Sequence, residues 1–245
     1  MIINKIRAFG IHAAFTFVAA LLTSAVVFYI WYPGDLARMV NGAEIYLIVL
    51  GVEIVLGPVM SLIIYNTNKP KKELFRDYMI IALIQISALA YGMYSVALSR
   101  PVFLVFVKDR IEVVAAVELK QEDLEEAKDF GFNKLSWFGP KLVCAEFPTD
   151  KYEKSDLLLS ALAGKDIQLI PSYFRECKAG QIYNKSYTKE ELFSKTSITE
   201  EKISPFVKAK DYKWLPVVTR FGSWLVVYFD ESLDKATYID EDPFQ

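Results

Sequence analysis

Apolar residues are distributed in two different ways along the chain, and the change falls at Arg100. Before it, three long apolar runs dominate, over residues 8–32, 45–65 and 78–98; after it, apolar residues come in short runs broken by charge. A helix needs about 20 apolar residues, at about 1.5 Å each, to cross roughly 30 Å of hydrocarbon. Each long run meets that length, so residues 1–99 are expected to form a three-helix transmembrane domain. Turn formers fill the connectors: Pro33, Gly34, Asn41 and Gly42 in the first, Asn66, Asn68 and Pro70 in the second. The first run is longer than the apolar segment of a cleaved signal peptide and ends in no small-x-small site, so it is read as a retained span.

The pattern over residues 100–245 predicts one α+β domain with an antiparallel sheet. "VFLVFVKDRIEVVAAVEL" reads as two β-branched and aromatic strands turning at Lys108, Asp109 and Arg110. "QEDLEEAKDFGF" reads as a helix, "GPKLVCAEF" as a strand, and "DKYEKSDLLLSALAG" as a helix capped by Asp150 and stopped by Gly164. "DIQLIP" suggests a further short strand. "TKEELFSK" and "TEEKISPFV" suggest short helices, and "WLPVVTRFGSWLVVYFDESLDKATYID" two or three strands.

Charge placement orients the spans. Lys5 and Arg7 precede the first, and Lys69, Lys71, Lys72 and Arg76 crowd the second connector, whereas the first connector holds Arg38 alone. The basic side is expected to be cytoplasmic, which puts residues 100–245 outside the cytoplasm. Tyr29, Trp31 and Tyr32 then form an aromatic belt at the outer end of the first span.

Composition removes whole classes of chemistry. With net charge −2 and no basic stripe among the 245 residues, nucleic acid is not an expected partner. The single histidine, His12, lies in the first span, where it is expected to reach toward the interface. The later domain therefore has no imidazole to activate a serine or cysteine, and two cysteines fall short of a zinc site. No phosphate-cradling or nucleophile-elbow motif occurs, so no catalytic residue, metal or cofactor is predicted. Cys144 and Cys177 could form a structural disulfide or remain two buried thiols; sequence spacing favours neither.

One position resists the simple reading. In "YLIVLGVEIVLGPVMSLIIY", Glu53 lies near mid-span, followed by Gly57 and Pro58. A carboxylate there costs about 2.5–3.5 kcal/mol on insertion scales and normally faces protein or water. Depth counting names Tyr91 and, deeper, Gln85 on the third span as internal partners. Pro58 also frees the carbonyl one turn earlier, at Ile54. Glu53 could thus fasten the second span to the third, or receive a polar group from another membrane helix. A membrane enzyme using Glu53 as acid or base is the rival reading, and it lacks an identifiable second catalytic group.

The string Glu53, Leu56-Gly57-Pro58, Lys69-Pro70, Arg76-Asp77, Gln85, Tyr91-Gly92 and Arg100-Pro101-Val102 resembles the TfpX/TfpZ family of type IV pilin accessory proteins. The likeness covers about residues 1–120; Glu53 stands where the family's familiar letter is Asp. The resemblance implies a bacterial inner-membrane protein, with membrane lipids and a type IV pilin subunit as partners and no enzymatic activity. A pilin awaits assembly as an apolar N-terminal helix carrying a glutamate, with a periplasmic head. Glu53, Gly57, Pro58, Gln85, Tyr91, Arg100 and Pro101 are the residues the resemblance marks for partner binding.

Overall fold

Three long helices open the computed structural model, which describes residues 2–66, 69–127, 129, 131–178, 180–230 and 236–245. Helix α1 (Ile2–Ala25) continues as a wider π-helical stretch, Val26–Trp31. A one-turn helix α2 (Leu36–Met39) follows, then α3 (Gly42–Ile64) and α4 (Lys71–Ser99). All three long helices are long and apolar enough to cross a membrane. Helix α4 starts well before the apolar run at Tyr78, because Pro70 ends the connector and accepts from the Glu73 and Leu74 amides. The residues that follow are good helix formers, so the basic stretch is helical. Asn68 lies outside the described residues.

The helical unit (Met1–Ala37 with Asn41–Ser99) is held by small residues and buried hydroxyls. Tyr46 is fully buried on α3, and its hydroxyl lies 2.7 Å from Thr23 Oγ1 and 3.0 Å from Ser24 Oγ on α1. Tyr32 donates to the Val96 carbonyl at 2.7 Å, and its ring covers Gly42. A Cβ at Gly42 would stand 3.0 Å from the Tyr32 Cζ and closer still to the ring edge. Gly42→Ala is therefore expected to lower the stability of the helical unit by about 2 kcal/mol through overpacking, read as an earlier transition in denaturing detergent.

The second unit comprises Arg38–Val40 and Arg100–Gln245. Strands β1 (Pro101–Val107) and β2 (Arg110–Ala115) form the expected hairpin, with Lys108 at φ 55° in the turn. Then come α5 (Gln121–Glu125), β3 (Lys141–Ala145), α6 (Lys151–Leu162), β4 (Phe174–Arg175), α7 (Gln181–Lys185) and β5 (Tyr187–Thr188). Helices α8 (Lys189–Lys195) and α9 (Glu200–Ile203) precede strands β6 (Lys213–Thr219), β7 (Gly222–Tyr228) and β8 (Thr237–Ile239). Asp150 caps α6 by accepting from the Tyr152 and Glu153 amides. The helix at Gln121 is one short turn and a half, with Lys128 and Phe130 of the expected longer one outside the described residues. Residues 231–235, within the last expected strand region, also lie outside them.

The sheet runs β4-β3-β1-β2-β6-β7-β8, with β5 on β6. It is mixed rather than purely antiparallel: β1 pairs with β3, and β2 with β6, in parallel. Both parallel joins link strands distant in sequence, where hairpin signals say nothing of direction. "DIQLIP" forms two 3₁₀ turns, not a strand, since Asp166 caps the Ile167 amide and Pro171 starts the second turn. One core cluster gathers Phe103, Val105, Val143, Leu157 and Phe174; another gathers Leu192, Trp214, Leu225, Val227 and Ile239. Cys144 and Cys177 are joined as a disulfide, their Cα atoms 5.1 Å apart, which settles the two readings the sequence left open.

Candidate functional site in the helical unit

Glu53, Gly57 and Ser61 recur at every fourth position of α3, so they stack on one face of that helix. All three are buried, Glu53 at 8% exposure and Ser61 at 0%. Across from them stand His12 on α1 and Gln85 on α4. His12 Nε2 lies 2.7 Å from Gln85 Oε1, and His12 Nδ1 lies 2.5 Å from Ser61 Oγ. A glutamine carbonyl only accepts, so Nε2 donates to Gln85, while Nδ1 and the Ser61 hydroxyl share a second hydrogen bond. Gln85 also shares a side-chain hydrogen bond with Glu53. Ser61, His12, Gln85 and Glu53 thereby form a polar chain linking all three helices.

Gly57 is what lets that chain close. A Cβ there would overlap the Gln85 amide nitrogen and stand 2.9 Å from His12 Nε2. Pro58 follows inside the unbroken α3, placing a residue without an amide donor next to the polar chain. Beside Glu53 a groove of about 160 Å³ runs between α3 and α4, walled by Val52, Leu56, Met60, Ile81, Ile84 and Ala88. Among its described lining residues Glu53 and Gln85 carry polar atoms, but these are turned out of the groove, whose exposed surface is almost wholly apolar. A larger groove of about 500 Å³, between α1 and α4, shares Gln85 and His12 with the polar chain.

Of the residues marked by sequence, Glu53, Gly57, Pro58 and Gln85 come together, and Gln85 is the internal partner of Glu53. Tyr91 is not: its side chain is 74% exposed. Depth alone selected it, but six positions at about 100° each put Tyr91 roughly 120° around α4 from Gln85. Arg100 and Pro101 belong to the second unit. Arg100 is buried there and donates from Nε to the Ser136 carbonyl at 3.1 Å, while Pro101 opens β1 opposite Ala115. His12 corrects the expectation of a side chain reaching to the interface, because its ring turns inward and is bonded at both nitrogens. Ser61 escaped the sequence reading, although its spacing of four from Gly57 and eight from Glu53 carries the signal.

In the sheet unit, a concavity of about 620 Å³ is lined in part by Cys144 of the disulfide. Phe106 and Phe147 wall it, and Lys108, Arg175, Lys178 and Lys185 outnumber Glu146 and Glu176 around it.

Fold and site together define a three-helix protein with a buried polar chain in its apolar part and a mixed-sheet domain after it. A family profile, "Fimbrial assembly protein FimB", matches residues 1–34. The chain is 26% identical over 249 residues to the fimbrial assembly protein of serogroup E1 from Dichelobacter nodosus, covering 96% of this chain and 95% of that one. The serogroup I protein of the same organism is 26% identical over 245 residues, with the same coverage. The protein of serogroups C1 and C2 is 31% identical over 118 residues, covering 48% of this chain and 90% of its own length. The chain belongs to this fimbrial assembly protein family. No solved structure matches it.

Proposed function

We propose that this protein assists the assembly or surface display of a specific type IV pilin, acting by binding rather than by making or breaking bonds. In this reading it is an inner-membrane accessory factor similar to the TfpX/TfpZ proteins, with its N-terminus cytoplasmic and its sheet domain periplasmic. The names of the Dichelobacter nodosus relatives support a role in fimbrial assembly. The observation that carries the binding reading is the apolar groove beside the polar chain. Glu53 and Gln85 sit in the wall of an apolar groove whose remaining lining is aliphatic. Such a groove suits an apolar helix, the form of a pilin awaiting assembly, with Glu53 and Gln85 behind its wall for a polar side chain of that helix to reach. Glu53 already has an internal partner in Gln85, so an incoming polar group adds to a satisfied network rather than rescuing a stranded charge. The basic concavity of the sheet domain offers a second contact, for the pilin head.

Deleting the gene should remove pilin from the cell surface while leaving its level in the membrane unchanged. Normal surface pili in the deletion strain would end the proposal. Glu53→Gln keeps a hydrogen-bonding side chain, abolishes general-base chemistry, and should restore pili on complementation; Glu53→Leu should not. Failure of Glu53→Gln with full expression would favour acid–base chemistry over docking. A photo-crosslinking residue at Leu56 should capture pilin, and one at Tyr94, 61% exposed, serves as comparison.

A further inference from the structure

A short loop of the sheet unit presents two aromatic rings that its own core leaves out. Trp137 is 57% exposed and Phe138 87% exposed, side by side in a segment otherwise well fastened. Leu135 packs on the core that holds Phe103 and Phe132, and the Phe138 amide donates to Ser136 Oγ at 3.3 Å. Gly139 turns the chain with φ 73°, and Lys141 Nζ donates to the Gly131 carbonyl at 2.6 Å. The rings are held out by an ordered loop.

What holds Trp137 identifies what it faces. The Arg100 guanidinium lies 4.2 Å over the Trp137 ring, and its Nε donates to the Ser136 carbonyl. Arg100 directly follows Ser99, the last residue of α4, and adjacent Cα atoms are about 3.8 Å apart. A residue that must lie where the third apolar helix ends therefore fixes this tryptophan. Tryptophan rings favour the headgroup level, where an apolar body and a polar edge are both satisfied. Exposed Lys134 adds a cation on the same loop, suited to anionic lipid.

We propose that Trp137 and Phe138 form a lipid-binding anchor that enters the headgroup region of the membrane, with Arg100 as the residue that positions it. The anchor rests on the reading that the apolar helices span a bilayer, and Trp31, at the end of α1's π-helical stretch, is the internal control for that reading. The full-length protein is reconstituted into phosphatidylethanolamine–phosphatidylglycerol nanodiscs, with acyl chains brominated near the glycerol end or left plain. Tryptophan emission is compared between wild type, Trp31→Phe and Trp137→Phe; the differences give the Trp31 and Trp137 components. The Trp137 component should be quenched by brominated lipid to a similar fraction as that of Trp31, and be insensitive to iodide in the water. Phe138→Trp in the Trp137→Phe background should behave the same way, which guards against a local effect of losing Trp137. Lipid quenching of Trp31 with iodide quenching of Trp137 would overturn the anchor and keep the spans. Loss of lipid quenching at both positions would overturn the anchor together with the spanning reading.

Discussion

Cys144→Ala/Cys177→Ala is expected to lower the melting temperature of the sheet domain by about 10 °C. The bridge closes a loop across a sequence separation of 33, and the chain-entropy relation assigns such a loop about 4 kcal/mol of destabilisation of the unfolded state. Cys144 lies on β3 opposite Arg175 of β4, two residues before Cys177, so the bond fastens a two-residue edge strand. Without it, β4 retains only a short ladder with β3, and the basic concavity above loses one wall. Near-UV circular dichroism of the full-length protein in nanodiscs would follow the sheet domain through its aromatic packing, while helical far-UV signal reports the other unit. A shift below about 2 °C, less than 1 kcal/mol by the same scaling, would show that the bridge adds little beyond existing packing. In the proposed periplasmic setting the bond would form readily, since that compartment is oxidising. The single variants should behave worse in cells than the double, because each leaves one thiol able to pair with another protein.

The parts of the fold legible in the sequence are those set by local periodicity and length. Three apolar runs gave three long helices, and the turn at Lys108 and Asp109 gave the β1–β2 hairpin. What remained hidden depends on residues far apart in the chain. The parallel partners of β1 and β2 lie far along the chain, and neither β3 nor β6 announces its direction locally. The disulfide was undecidable for the same reason, since only the pairing of β3 with β4 brings the sulfurs together. Within the site, Glu53, Gly57 and Pro58 stood out as wrong letters in an apolar run. Of the two partners that depth names, Gln85 meets Glu53 and Tyr91 does not, because depth carries no information on rotation about the helix axis. From the observed helix ends, Glu53 is 11 residues into α3 and Gln85 is 14 from the end of α4, about 4.5 Å apart in depth at 1.5 Å per residue. A glutamine side chain spans that gap. His12 was assigned to the interface from its place near one end of a span, but a ring with both nitrogens bonded has no reason to leave the helix junction.

Gly57→Leu should lower the stability of the helical unit by about 3 kcal/mol and abolish surface display of pilin. The Cβ of any substituent would overlap the Gln85 amide and crowd His12, so Gln85 must swing away. That motion breaks the bonds to Glu53 and His12 together. Interhelical polar bonds in membranes are worth about 0.6 kcal/mol each, up to roughly 1.7. The helix-propensity gain on replacing glycine is about 1 kcal/mol, so overpacking and lost bonds outweigh it. Gly57→Ala separates the causes. It should lose stability in the wild-type background, yet lose little or gain when combined with Gln85→Ala, because the overlapping amide is gone. The pair should therefore be non-additive by at least about 0.5 kcal/mol, the coupling expected of residues in contact. Reversible unfolding in mixed detergent, scored for all four members of the cycle, measures that term. Additive values would mean that Gln85 does not occupy the space above Gly57, and the polar chain from Ser61 to Glu53 would have to be redrawn. Pilin display in the same strains distinguishes structure from docking. If the polar chain serves only to fasten helices, display should track stability across the cycle. If Gln85 and Glu53 also receive the pilin helix, Gln85→Ala/Gly57→Ala should recover stability without recovering display.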